Sequence, residues 1–323
     1  MKEKGMPVVA MVYDFDGTLA PGNMQEFGLL KALGYDNPGD FWDLCDKLAK
    51  TNDAGSIAVV MYALQAEAKR VGTPLTRKSL KEFGQKVAFF PGVIDWFDKI
   101  NAYAAEIGVQ VKHYINSSGV KEMVEGCTIA KHFEKIYACT YLYDTQGEAC
   151  WPAVVVDYTK KTQFLFKISK GVLEVSDRVR VNEYMPEDER PVPFDRMIYF
   201  GDGETDVPCM RTVKSEGGYS FAVYGNEKKR DVAQQLLSEG RVNFACEADY
   251  TEDGEIMNIV RHILDKVKAE YALRSVVECI CRISVGRAEK LVVSETCRND
   301  VLTFSYCLKR HRGECANRDF PIL

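Results

Sequence analysis

Asp14 and Asp16 stand two positions apart, followed by Gly17, Thr18 and Leu19, where an apolar run that begins at Pro7 gives way to polar residues. A second acidic pair, Asp202 and Asp206, occupies Gly201-Asp202-Gly203-Glu204-Thr205-Asp206 behind another apolar run at 196–200. Between the two lie the hydroxyls of Ser117 and Ser118, after an alternating stretch at 109–115, and the lysine pair Lys160 and Lys161. These are the side-chain types that phosphoryl transfer to a carboxylate requires. A carboxylate that attacks phosphorus splits one difficult displacement into two easier ones. A hard cation with oxygen ligands bridges the anionic nucleophile and the anionic phosphate, and hydroxyl and ammonium groups meet the charge on the equatorial oxygens. Each feature is common in isolation, since an Asp-x-Asp in a loop usually serves a turn or a helix cap. Their order along the chain makes the set specific.

The intervening segments can bring all four features to one edge. The run at 7–13 suits a strand buried on both faces, and 109–115, 135–139, 154–156, 196–200, 219–223 and 242–245 read as further strands. Helical spacing of apolar residues is expected at 24–33, 40–50, 56–70, 76–83, 91–105, 120–130, 161–170, 228–238 and 254–268. The segment 183–193, with three prolines and several charges, is expected to be an exposed connection. Strands alternating with helices predict an α/β fold, a three-layer Rossmann-like core whose parallel sheet is covered on both faces. Ligands of such sheets sit at the carboxyl ends of the strands.

Composition narrows the function classes. With 46% hydrophobic and 28% charged residues, the 323-residue chain is neither disordered nor collagen-like. No run of 18 apolar residues suggests a membrane span, and the first 13 residues lack the pattern of an export signal, so a cytoplasmic protein is expected. Forty-two basic against 47 acidic residues give a net charge of −5, which leaves no basic excess to hold nucleic acid or an anionic membrane. Eleven cysteines at irregular spacing are expected to be reduced thiols. Residues 265–323 differ from the rest, with eleven basic against eight acidic residues and five of the cysteines, so a boundary is expected near 268. The spacing of Cys279, Cys281, Cys297, Cys307 and Cys315 matches no paired zinc framework.

The set Asp14-Phe15-Asp16-Gly17-Thr18-Leu19, Ser117, Lys161 and Gly201-Asp202-Gly203-Glu204-Thr205-Asp206 resembles the four motifs of the haloacid dehalogenase superfamily. The resemblance spans about residues 7–268, and the helix-rich stretch after the first motif looks like the cap of the branch that includes phosphoserine phosphatase. It implies a core of residues 1–20 and 91–268, a helical cap at 21–90, and a C-terminal extension at 269–323. It also implies a Mg2+-dependent phosphatase that forms an aspartyl phosphate on Asp14. Asp14 and Asp202 would ligate the metal, joined by the backbone carbonyl of Asp16, while Asp206 would hold a metal-bound water or orient the lysine. The Asp16 side chain would serve as general acid and base. Ser117 and Lys161 would meet the phosphoryl oxygens, with Thr18 and the amides of Ser118 and Gly119, expected at a helix start, binding phosphate. Ser117 directly follows the strand and is preferred to Ser118, and Lys161 to Lys160.

A cap over the strand ends restricts access, so a small phosphorylated metabolite is the expected partner. Asn23, Gln25, Glu26 and Arg70 are the polar cap residues that would face it, whereas Trp42, Tyr62 and Phe83 are expected in the cap's own core. A phosphomutase acting on a sugar phosphate would keep every motif residue, and a non-catalytic binding protein on this fold is the third possibility. The four histidines show no metal spacing, and Gly201-x-Gly203 lacks the third glycine of a dinucleotide fingerprint.

Overall fold

The computed structural model describes residues 6–294, with the side chains of the last helix described to Arg274 and at Val276. Seven strands form one sheet: β1 Val8–Tyr13, β2 Gln110–Val120, β3 Phe133–Tyr143, β4 Ala149–Val154, β5 Met197–Gly201, β6 Tyr219–Tyr224 and β7 Phe244–Glu247. Their order is β4-β3-β2-β1-β5-β6-β7, and every neighbour pair is parallel except the edge hairpin β3–β4. β1 therefore lies where the strand order reverses, with β2 on one side and β5 on the other. Such a switch point opens a crevice at the carboxyl ends of the strands.

The helices are α1 Leu29–Ala32, α2 Pro38–Asn52, α3 Ser56–Val71, α4 Arg77–Gly84, α5 Val93–Glu106, α6 Lys121–Gly126, α7 Lys160–Lys170, α8 Val207–Ser215, α9 Glu227–Ser238 and α10 Glu255–Ser294. β1 is fully apolar and buried because neighbours pair with it on both edges and helices cover both faces. Beneath it, Trp96 Nε1 donates to Tyr13 Oη at 2.8 Å, and that hydroxyl lies 3.0 Å from His113 Nδ1. The other ring nitrogen of His113 meets Asn101 Oδ1 at 3.0 Å. His113 is thus a satisfied core residue, and burial holds its pKa down to about 3.

Several expected elements differ in the structure. The single helix at 24–33 is a 3-10 turn, Met24–Glu26, followed by α1, because Gly28 turns the backbone to φ +112. The helix expected at 120–130 shrinks to α6, since β2 continues in strand pairing as far as Val120 opposite Cys139. The strand expected at 154–156 is the tail of β4, which pairs back on β3 instead of extending the parallel sheet. α8 has no counterpart among the expected helices. Tyr62 is 58% exposed and so is no part of a helical core.

The inserted helices are fastened to the sheet along the β3–β4 hairpin. Ala149 N–H donates to Leu75 O at 2.9 Å, Gln65 Nε2 to Ala149 O at 2.6 Å, and the Tyr141 hydroxyl to Met61 O at 2.7 Å. α4 crosses α6 with backbones in contact: a Cβ on Gly84 would overlap Met123 O, and one on Gly126 would overlap Lys81 O. Arg77 pairs across the same junction with the buried Glu122 at 3.1 Å.

The described residues divide into a compact unit at 6–269 and a second unit that begins at 270. Of the second, the described backbone at 270–294 is helical as part of α10. The rest of the expected extension, and the side chains of its five cysteines, lie outside the described residues. The six described cysteines are all free thiols. Among the described residues no helix is long and apolar enough to cross a membrane.

Candidate active site

Asp14 leaves β1 with its N–H donating to Phe200 O at 2.8 Å, which ties the first motif to the end of β5. The next turn is tight: the N–H groups of Leu19 and Ala20 both reach back to Phe15 O, and Gly17 adopts φ +74. A side chain at Gly17 would overlap Asp202 Oδ2, and a Cβ at Gly201 would lie 2.6 Å from Asp206 Cβ. Glycine at 17 lets the two acidic loops close on each other, and glycine at 201 lets the second loop fold back onto its own Asp206.

The result is a cluster in which one oxygen each from Asp14, Asp202 and Asp206 lie within 4.8 Å of one another. Lys161, fully buried on the first turn of α7, places Nζ 3.0 Å from Asp14 Oδ1 and 2.7 Å from Asp206 Oδ1. Asn116, within β2, holds the backbone of that lysine through Nδ2 to Lys161 O at 3.0 Å. The Tyr199 hydroxyl donates to the same Asp206 Oδ1 at 2.7 Å. Lys160, by contrast, is turned outward to Asp157 at 3.4 Å.

Burial dominates the electrostatics. It pushes the Asp14 carboxyl well above the usual range, and the nearby Asp206 adds to this while Lys161 opposes it. Asp202 is also raised, by burial and then by Asp206, against the ammonium of Lys229 at 2.9 Å. Burial alone would depress Lys161, but Asp14 and Asp206 reverse this and hold the ammonium above the ordinary lysine range. Asp206 Oδ2 is buried with no hydrogen-bond partner, a costly state for a carboxylate oxygen unless a cation meets it. Three convergent carboxylates with an orphaned oxygen fit a hard divalent cation such as Mg2+. The Asp16 carboxylate stands apart from this cluster. It accepts the Met24 N–H at 2.8 Å, and burial raises its pKa to about 7 despite that bond.

A cavity of about 650 Å3 opens over the cluster, and Asp14, Asp16, Ser117, Ser118 and Asp202 reach its wall. Lys161 and Asp206 are not on its wall and are fully buried. Ser117 Oγ accepts the Gly119 N–H at 3.0 Å, and Ser118 Oγ has no partner. Thr18 and Gly119 stand behind the wall. Thr18 is buried with its hydroxyl unpartnered and its carbonyl accepting Tyr250 Oη, while Gly119 makes room for Met24. The amides of Ser118 and Gly119 do not open a helix as expected, because α6 begins only at Lys121. Of the polar residues expected to face the cavity, Asn23 does so. Glu26 instead binds Asn23 Nδ2 and Trp42 Nε1, Gln25 is buried, and Arg70 turns away to Glu67. Sequence reasoning missed Tyr199, Asn116 and Lys229. A tyrosine in a buried strand needs a partner for its hydroxyl, and that was the one available signal.

The family model of haloacid dehalogenase-like hydrolases matches residues 11–211, which contain all four motifs. The chain belongs to this family. A Borreliella burgdorferi protein, described only as uncharacterized, is 30% identical over 282 residues, covering 78% of this chain and 94% of that one. Among solved structures, a probable phosphoserine phosphatase from Vibrio cholerae is 15% identical with a TM-score of 0.51, over 83% of this chain and 67% of its own. A phosphoserine phosphatase in apo form is 13% identical with a TM-score of 0.48, over 78% and 98%. At 15% identity the likeness to the Vibrio cholerae structure speaks for the shared fold alone.

Proposed function

We propose that the protein is a Mg2+-dependent phosphatase that hydrolyses a small phosphomonoester through an aspartyl phosphate. The observation that carries this reading is the division of labour among the carboxylates. Asp14, Asp202 and Asp206 converge with Lys161, whereas Asp16 is held apart by the Met24 amide with a pKa of about 7. A nucleophile and an acid–base residue need this kind of separation.

Asp14 forms the bond to phosphorus as the ester bond to the alkoxide breaks, and protonated Asp16 gives its proton to that leaving oxygen. In the second half, Asp16 takes a proton from water as the water oxygen attacks phosphorus, which releases inorganic phosphate and restores the Asp14 carboxylate. Lys161 and Ser117 face the phosphoryl oxygens and hold Asp14 in line. A divalent cation on Asp14, Asp202, Asp206 and the Asp16 carbonyl would neutralise the charge that otherwise repels nucleophile from phosphate. We read 21–90 as the cap of this site, 1–20 and 91–268 as its core, and the substrate as a cytoplasmic metabolite.

The test is release of inorganic phosphate from a panel of small phosphomonoesters, with Mg2+ and with chelator, in wild type and Asp14→Asn. Release that needs Mg2+ and disappears in the folded variant is expected. A folded Asp14→Asn protein that turns over at the wild-type rate would remove Asp14 as nucleophile.

A further inference from the structure

The cavity is far larger than a phosphoryl group. Its wall carries the acids Asp14, Asp16, Asp202 and Glu204. Lys161 is already committed to two carboxylates. Among the described residues, the cations on the cavity wall are Lys228 and Lys229, on the first turn of α9. Lys229 Nζ makes one contact, with Asp202 Oδ2 at 2.9 Å, so two of its three donors face no protein acceptor. Lys228 has no hydrogen bond or ion pair among the described residues and is exposed. Asn226 fixes the turn that carries both, accepting the Lys229 N–H at 3.0 Å. Tyr158, Phe90, Ile57 and Val232 supply the apolar remainder of the wall. α9 also lies beyond residue 211, outside the stretch matched by the family model.

We infer that Lys228 and Lys229 bind a second anionic group of the substrate, so that the preferred ligands are phosphoesters carrying a further carboxylate or phosphate. This rests on the phosphatase reading for the position of the first phosphoryl group. Unpaired ammonium donors on a cavity wall form charge-assisted hydrogen bonds with an anion, which are about twice as strong as neutral ones. The two lysines therefore select by charge.

The experiment measures binding with inert probes in Mg2+, on the full chain: propylphosphonate, 3-phosphonopropionate and propylene-1,3-bisphosphonate, by calorimetry. Wild type is expected to bind the two probes that carry a second anionic group about tenfold or more tighter than propylphosphonate. That ratio collapses in the double variant Lys228→Met, Lys229→Met and survives in Lys229→Arg. The carboxylate and bisphosphonate arms show which second anion is preferred. A wild-type ratio near one, or a double variant that weakens all three probes equally, would overturn the inference, the latter by placing the lysines on the common phosphoryl group. If the ratio collapses as expected while no ester is hydrolysed, the second-anion site stands and the hydrolase reading fails.

Discussion

Replacing Lys161 with methionine tests how the site balances its charges. The ammonium is fully buried, 3.0 Å from Asp14 and 2.7 Å from Asp206. Methionine keeps most of the apolar stem and leaves the two carboxylates facing each other with only the Tyr199 hydroxyl on Asp206. Breaking a buried ion pair from one side costs about 3–5 kcal/mol, and here one cation serves two acids. Urea denaturation at pH 7 in chelator should therefore show Lys161→Met at least about 3 kcal/mol less stable than wild type. Lys160→Met is the control, because its exposed pair with Asp157 at 3.4 Å is worth less than about 1 kcal/mol. Mg2+ should then narrow the gap. The variant's cluster is one charge more negative and binds a divalent ion more tightly, which closes the gap by about 1.4 kcal/mol for each tenfold difference in Kd at saturation. A deficit in chelator below about 1 kcal/mol, or one that Mg2+ leaves unchanged, would refute this account of the cluster.

Two further outcomes are expected. His113 titrates near 3 in the folded protein against 6.5 when exposed, so the unfolded chain binds the extra proton between those values. The stability it confers is complete above about pH 6.5 and drains away as pH falls; between pH 7 and 4, His113→Gln should lose about 3 kcal/mol less than wild type, and parallel pH curves would sink the argument. Gly17→Ala forces a side chain into a left-handed turn and against Asp202. Calorimetric titration should show Mg2+ affinity down about tenfold to a hundredfold, whereas wild-type affinity would mean that the two loops do not need their close approach.

Much of the site was legible because its residues are short-range signals, acids and glycines directly behind apolar runs. The choice between Lys160 and Lys161 was also written in the chain, although only in helical phase. Lys161, Phe164, Leu165 and Ile168 share one buried face of α7, and Lys160 falls outside it. What could not be read depends on tertiary neighbours. Tyr199 and Lys229 reach acids that are distant on the helical or strand path, through contacts that no local period encodes. β4 turns back on β3 because the edge of the sheet offers it a partner, and its Val154 end reads from sequence as a separate strand. Thr18 sits in the right motif, yet the tight turn at Phe15 points it into protein.

The seam along the β3–β4 hairpin bears on how molecules come and go. A lid that swings needs a free edge, and the inserted helices have little: three hydrogen bonds to backbone carbonyls, the Arg77–Glu122 pair and two glycine crossings hold them down. The insert behaves as a wall. The cavity beside it is lined in part by Asn23, Ile57 and Tyr158, side chains that turn on the nanosecond scale, whereas domain hinges take microseconds or longer. Ligand exchange past such side chains is quick beside bond breaking, so for the proposed phosphatase the slow step falls on the two displacements at phosphorus: a rate that tracks the leaving group marks the first as slow, and a rate common to all esters marks the second.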